Sequence, residues 1–387
     1  MNPKSTARPA DQPTVPSAQA DIPLRDTQHP PARQPGKAVT VRPGQDPPGA
    51  RLLKEAPVLL QRLMRAPELG VAVAAIVIFV FFAIVGGSKG FLSLTATASW
   101  LNTAAQLGII AIPLGLLMIS GSFDLSIGSM VGAGSVTVGI VTGYEHQSLW
   151  LALVIAAGIA VLVGLGNGLL VTRTALPSFI VSLGANLIVA GLGLTVALQM
   201  TGTTSIPVTA SGFAADLFDS KWHQLSVSTF WWLGIAVAAA WVLAHTRFGN
   251  WITATGGDPE KARRAGVLTG RVTITLFIFT ALSSAFVGVL QAVQYTSGDP
   301  TTGQNYVFQA AIVVVIGGVL ISGGYGTILG VVLGTLVYGI VNGGLFYTGW
   351  NTNYTEVLIG LLMIVAVLTN SFLRRLALSA TKKGVTR

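Results

Sequence analysis

Chemistry in this chain is concentrated in one short polar run, Gly256-Gly257-Asp258-Pro259-Glu260-Lys261-Ala262-Arg263-Arg264-Ala265-Gly266, set between two long apolar stretches. Its residue types spell a small helix with its own start and stop. Asp258 suits the N-cap, Pro259 the first helical position and Glu260 the positive end of the helix dipole. Lys261, Arg263 and Arg264 crowd the far end, and Gly266 suits the position after the C-cap. The chemistry this offers is recognition. About two turns of helix, held outside an apolar body, present a defined polar surface to another protein.

A second set of residues lies inside the apolar stretches. Asn102, Gln106, Asn167, Asn186, Gln291, Gln294, Gln309 and Asn342 are amides, which donate and accept toward hydroxyls and so suit a neutral polyol or sugar. The same groups serve equally well as hydrogen bonds between helices. No Asp, Glu, Lys or Arg lies well inside any stretch, which weakens a proton- or sodium-coupled carrier. Other chemistry is excluded. With no cysteine there is no disulfide framework and no thiolate site, and the histidines at 29, 146, 223 and 245 have no ligand spacing. No G-x-x-x-x-G-K-[ST] loop is present, and no nucleophile–base pair suggests an enzyme. No cofactor, metal or catalytic residue is expected.

The elements that must position these residues follow from composition. Of 387 residues, 51% are hydrophobic and only 10% charged, and mean hydropathy is +0.68. A soluble domain needs more charge than that on its surface, so the fold class is an all-α polytopic membrane protein. Ten apolar stretches are expected to span, at about 69–86, 98–119, 125–143, 149–171, 177–198, 229–246, 272–294, 307–322, 325–346 and 355–373. The second is interrupted at Pro113, and the eighth is short and broken near Gly317-Gly318. Gly128/Gly132, Gly330/Gly334 and Gly339/Gly343 have the spacing that lets helix backbones approach.

Ten spans place both termini on one side. Assigning that side to the cytoplasm puts 21 of the 23 Lys and Arg residues inside, leaving only Lys89 and Lys221 outside. The 256–266 run is then cytoplasmic. Twelve of 18 prolines precede residue 60, so 1–66 reads as a disordered cytoplasmic tail without the apolar core of a secretory signal. Residues 67–373 form the transmembrane domain and 374–387 a basic cytoplasmic tail.

These pieces resemble a family, the membrane-spanning permeases of binding-protein-dependent ABC importers for simple sugars of the ribose, xylose, arabinose and galactose type. The likeness is carried by Leu117-Met118-Ile119-Ser120-Gly121-Ser122-Phe123-Asp124-Leu125-Ser126-Ile127-Gly128-Ser129, and by Asn167-Gly168-Leu169-Leu170 followed by Pro177-Ser178-Phe179-Ile180-Val181-Ser182-Leu183-Gly184. Arg247-Phe248-Gly249, Ile316-Gly317-Gly318, Gly323-Gly324-Tyr325-Gly326-Thr327 and Asn342-Gly343-Gly344-Leu345 continue it in order, from about residue 69 to 373. The chain departs at Ser122-Phe123, where the family has Gly-Ile, and at 303–313, which lacks the usual acidic residue.

The resemblance implies a mechanism. Two permease chains, identical or related, pair in the bacterial inner membrane, two ATPase domains (often fused in tandem) dock below, and a soluble binding protein delivers the sugar from outside. Residues Gly257 to Gly266 match the coupling element. Ala262 and Ala265 are small enough to seat it in a groove, and Lys261, Arg263 and Arg264 can pair with acids on the ATPase. Phe123, Asp124, Asn102, Gln106, Asn167, Asn186, Gln309 and Asn342 are candidates for the pathway. Asp124 reads either as N-cap of the third span or as a residue near the cytoplasmic mouth. The external loop from about Gln199 to Ser228, with Asp216, Asp219 and Glu145, offers an acidic surface to the binding protein. The rival readings are an ABC permease for nucleosides or amino acids, and a carrier or channel that works without ATP.

Overall fold

The computed structural model describes residues 67–174 and 176–381. The N-terminal tail and the last six residues lie outside it, and Ala175 is the one internal gap. Each of the ten expected apolar stretches holds a helix, although the eighth is helical only as far as Ile316. Eight are long and apolar enough to cross a membrane, and Tyr306–Ile316 and Tyr354–Leu368 are shorter apolar helices. In chain order the first five are α1 (Pro67–Gly86), α2 (Leu94–Ile119), α3 (Ile127–Val138, continued as a π-helix over Gly139–Tyr144), α4 (Leu149–Arg173) and α5 (Ser178–Thr201). A short helix, α6 (Phe213–Asp219), precedes α7 (Val227–His245). The polar pair α8 (Arg247–Gly257) and α9 (Pro259–Arg264) follows. The chain then re-enters as α10 (Thr269–Gln294), α11 (Tyr306–Ile316), α12 (Ile328–Thr348) and α13 (Tyr354–Thr381), the last running past the expected end at 373.

Two helices form the centre. α2 is 89% buried over its apolar window and packs on α7, α10, α11 and α12, while α10 packs on α2, α3 and α4. α5, only 11% buried, leaves its apolar side chains on the outside, which in a bilayer is the favourable arrangement. Pro113 does not break α2, because the helix continues through it to Ile119. Buried neighbours on every side hold the proline turn in place, as packed membrane helices commonly do.

The glycine pairs lie in close backbone contacts. A β-carbon on Gly132 would meet the Pro300 oxygen at 2.0 Å, one on Gly330 the Gly317 oxygen at 2.0 Å, and one on Gly339 the Trp100 oxygen at 2.5 Å. Two of the connections carry short β-pairs. β1 (Ile206–Pro207) pairs antiparallel with Ser297–Gly298, tying the loop after α5 to the loop after α10. β2 (Lys221–Trp222) and β3 (Leu225–Ser226) form a hairpin. Its two-residue turn, His223 and Gln224, has φ of 46° and 75°, values that hairpin turns usually assign to Asn and Gly.

Candidate functional site

The polar run folds as read, with two corrections. Asp258 is the N-cap of α9: its Oδ1 accepts from the Lys261 amide at 3.0 Å, and its other oxygen pairs with Lys261 Nζ at 3.0 Å. The Lys261 amide and then its ammonium hold this exposed carboxyl below the usual carboxylate range. Gly266 takes a left-handed φ of 85° just past the helix. The first correction is one of extent. The sequence reading gave one helix here, at 258–266, but Thr246 caps a separate 11-residue helix before it, α8, by accepting from the Gly249 amide. Asp258 is thus the hinge of a helix pair. The second correction concerns Ala262, which is buried against its own chain. Of the two alanines expected to seat the helix, only Ala265 is exposed, alongside Lys261, Arg263 and Arg264. Arg263 is partly committed, its Nε donating to Thr269 Oγ1 at 2.9 Å.

The polar pair is joined to the bundle through backbone. Gly256, Gly121 and Gly323-Gly324 come together from three distant parts of the chain. The Gly324 amide donates to the Ile119 carbonyl at 2.8 Å, and a β-carbon on Gly256 would sit 1.9 Å from that same oxygen. Gly121, Gly323 and Gly324 all have left-handed φ, which glycine adopts at little cost. The break near Gly317-Gly318 has its reason here. α11 stops at Ile316 after about 16 Å, and residues 317–327 loop back to this junction. Beside it opens a crevice of about 280 Å³ whose lining includes Ser122, Thr172, Arg263, Thr273 and Ser322.

The eight candidate pathway residues separate into distinct groups. Phe123, Asp124, Asn167 and Asn186 converge on one buried knot. Asp124 is fully buried. Its Oδ1 accepts from Ser126 N at 2.8 Å and Ser126 Oγ at 2.6 Å, and its Oδ2 from Thr280 Oγ1 at 2.6 Å. Asn167 Nδ2 donates to Ser126 Oγ at 3.0 Å, and Asn186 Oδ1 accepts from the Ser129 amide at 3.1 Å. The Phe123 amide donates to Ser178 Oγ at 3.0 Å. Asp124 therefore does not cap α3, whose N-cap is Ser126 with no side-chain cap bond. Thr280 lies eleven residues into α10, about 16 Å from the polar end, so Asp124 sits at mid-depth and not at a mouth.

Gln106 belongs to a second network. Gln106 Nε2 donates to Gln294 Oε1 at 2.9 Å, and Gln291 Nε2 donates to Gln106 Oε1 at 2.8 Å and to the Tyr306 hydroxyl at 2.7 Å. Gln294 Nε2 reaches Ser226 and Ser228 at 3.1 and 2.9 Å. Asn102 lies one turn from Gln106 on α2, and its buried Oδ1 has no partner. Gln309 Nε2 instead donates to Glu356 at 3.0 Å, joining α11 to α13. Asn342 lies half-buried on α12, outside all three groups. Sequence reasoning missed Thr280, Ser126, Ser226 and Tyr306, because hydroxyls in apolar runs are common and give no local signal. No cluster of three metal-ligating side chains occurs among the described residues.

Comparison with known proteins now has geometry to rest on. The family model described as "Branched-chain amino acid transport system / permease component" matches residues 96–367. The ribose import permease protein of Escherichia coli K12 is 29% identical over 305 residues, covering 76% of this chain and 92% of that one. The fructose import permease protein of Rhizobium meliloti is 30% identical, covering 82% and 90%. The galactose/methyl galactoside import permease protein of Escherichia coli K12 is 32% identical, covering 73% and 88%. No solved structure matches the chain significantly. With ten apolar helices, an interior of amides and hydroxyls, and a matched region that runs from α2 into α13, the chain belongs to the family of branched-chain amino acid transport system permease components, multi-pass membrane subunits of transport systems.

Proposed function

We propose that the chain is the membrane-spanning permease of an ABC importer that carries a monosaccharide or related neutral polyol across the bacterial inner membrane. A soluble binding protein supplies the cargo, two permease chains form the passage, and a partner ATPase drives it. The observation that carries this reading is the polar pair α8–α9. It exposes Lys261, Arg263, Arg264 and Ala265 at one end of the bundle and is locked by Gly256 to α2 and to the loop after α11. A rigid polar element with that attachment suits the transmission of force from a soluble subunit to the spans.

The cargo follows from what the interior offers. Its buried polar groups are amides and hydroxyls, and its one fully buried carboxylate is already saturated by Ser126 and Thr280. An amino acid would leave its ammonium and carboxylate without countercharges, a costly arrangement in a low-dielectric interior. A neutral polyol would not. The relatives named for ribose, fructose and galactose import point the same way. The excess of Lys and Arg at the polar end supports a cytoplasmic location for it and for both termini. Asp216, Asp219 and Glu145 are all exposed and would face the binding protein on the other side.

The test is uptake of labelled monosaccharides by cells carrying the complete importer. Arg264→Glu reverses an exposed charge that makes no side-chain hydrogen bond or ion pair among the described residues, so the protein should insert and melt as the parent does. Uptake is expected to fall about ten-fold or more, because a like charge now opposes acidic groups of the docked subunit. Normal uptake in this variant would remove the docking role from α9. Uptake of a branched-chain amino acid in place of any sugar would replace the cargo.

A further inference from the structure

One face of α2 is out of keeping with a membrane span. Thr95, Ser99, Asn102 and Gln106 recur at helical spacing and form a polar stripe nearly three turns long on an otherwise apolar helix. Gln106, at the inner end, is satisfied by Gln291 and Gln294. The outer part is not. Thr95 and Ser99 are exposed, and the Asn102 Oδ1 is buried without a partner. Hydrocarbon is a poor solvent for such a row, and lipid-facing positions are normally apolar.

The stripe forms one wall of a cavity of about 470 Å³, and the other wall is the β2–β3 hairpin, contributing Lys221, Gln224 and Ser226. Thr95 Oγ1 donates to Gln224 Oε1 at 2.8 Å, tying the hairpin to the helix. Two further features mark this place. The hairpin turn holds His223 and Gln224 at positive φ, the conformation that a two-residue turn of this kind requires, and so fixes Gln224 against α2. Beneath the cavity, Ser226 and Ser228 lead through Gln294 into the Gln106–Gln291–Tyr306 network, so polar groups run without a break toward the centre of the bundle.

Resting on the importer reading, we infer that this cavity is an outer binding site for the transported polyol, with Ser99, Asn102 and Gln224 as its hydrogen-bonding groups. The chemistry suits that ligand. Hydroxyls and amides both donate and accept, no carboxylate lines the cavity, and its one cation, Lys221, is exposed to solvent and adds a donor. The volume admits a molecule of sugar size. Of the six buried side-chain atoms without a partner among the described residues, the Asn102 oxygen is the one whose residue lines this cavity, where a ligand hydroxyl could reach it.

The natural chain has no cysteine, so single thiols report directly on this cavity. In the complete importer, Ser99→Cys is expected to react with a water-soluble, membrane-impermeant methanethiosulfonate reagent, and millimolar transported sugar to slow that reaction. Ala157→Cys, in an apolar crevice between helices, should stay unlabelled. Adding Asn102→Leu to Ser99→Cys should abolish the protection by sugar. Alone, Asn102→Leu should lower uptake about ten-fold, the size of one lost hydrogen bond, with thermal stability unchanged.

Four results would overturn the site. Labelling unaffected by a sugar that the importer carries would remove the site but leave the importer reading standing. An unreactive thiol would show a cavity closed to water. Spontaneous cross-linking of Ser99→Cys between two chains would assign the stripe to a second copy. Failure of the unmodified importer to take up any sugar would remove both the proposed function and the ligand class.

Discussion

Replacing Gly256 with alanine should cripple this protein, while the same change at Gly257 should leave it intact. The two residues are neighbours at the end of one helix, and composition gives no reason to separate them. The structure does. A β-carbon on Gly256 would lie 1.9 Å from the Ile119 oxygen and 2.6 Å from the Gly324 nitrogen, whereas one on Gly257 would meet nothing within 4 Å. Both obstacles at Gly256 are backbone atoms, held by the 2.8 Å bond from Gly324 to Ile119, and cannot rotate aside. Overpacking typically costs about 1–3 kcal/mol, and a clash with fixed backbone belongs at or beyond the upper end. Relief requires α8 to move away from α2, which breaks the attachment on which the proposed coupling depends. Gly256→Ala is therefore expected to lose essentially all uptake, with a lower melting temperature in detergent. Gly257→Ala should match the parent or gain a few tenths of a kcal/mol from helix propensity. Equal behaviour of the two variants would contradict the junction.

The second large effect is expected at Asp124. Three donors, the Ser126 amide, the Ser126 hydroxyl and the Thr280 hydroxyl, converge on a carboxylate with no solvent exposure. Asp124→Leu fills the space but strands the Ser126 amide and hydroxyl, while the Thr280 hydroxyl keeps the Phe277 carbonyl at 2.9 Å. Stranded buried donors cost about 1–3 kcal/mol each in soluble proteins. Interhelical bonds in membranes average nearer 0.6 kcal/mol, because the unfolded chain also finds partners there. The environment lies between these cases, so about 2–4 kcal/mol of destabilisation is expected. Asp124→Asn keeps an oxygen for Ser126, and its amide nitrogen can donate to the Thr280 hydroxyl, which then turns to the Phe277 carbonyl, so it should cost less than half as much. Thermal unfolding of the purified variants decides it. A Leu variant as stable as the parent would mean that the knot does not hold α3 to α10.

How much of this was legible in the sequence depends on the range of the signal. The ten helices were readable because membrane hydropathy is a local property of each stretch. The Asp258 cap and the Gly266 terminus were readable because caps are set by residues within one turn. The close contacts of Gly128/Gly132 and Gly330/Gly334 were readable as spacing, although not which backbone they would meet. Asp124 was misplaced because depth is a tertiary property: five residues past the end of α2, and beyond the exposed Gly121, the chain is fully buried again, held by a threonine 156 residues away. Helix α8 was missed because Arg247–Gly257 mixes apolar and polar residues too briefly to stand out beside long spans. The exposure of Ala262 was misjudged because helical spacing gives a face without saying which neighbour covers it. The glycine junction brings together residues 121, 256 and 323, and no local pattern announces such a meeting.

The central claim, a permease driven by a docked ATPase through α8–α9, is tested most directly by affinity purification of the tagged full-length chain from its native membranes, followed by assay of ATP hydrolysis and mass spectrometry of what accompanies it. The account predicts that an ATP-hydrolysing subunit co-purifies with the parent chain, that sugar-loaded binding protein stimulates its activity, and that Arg264→Glu loses it. A chain recovered alone and without hydrolysis, under conditions that keep other ABC importers assembled, would contradict the account and point to a carrier or channel that works without ATP.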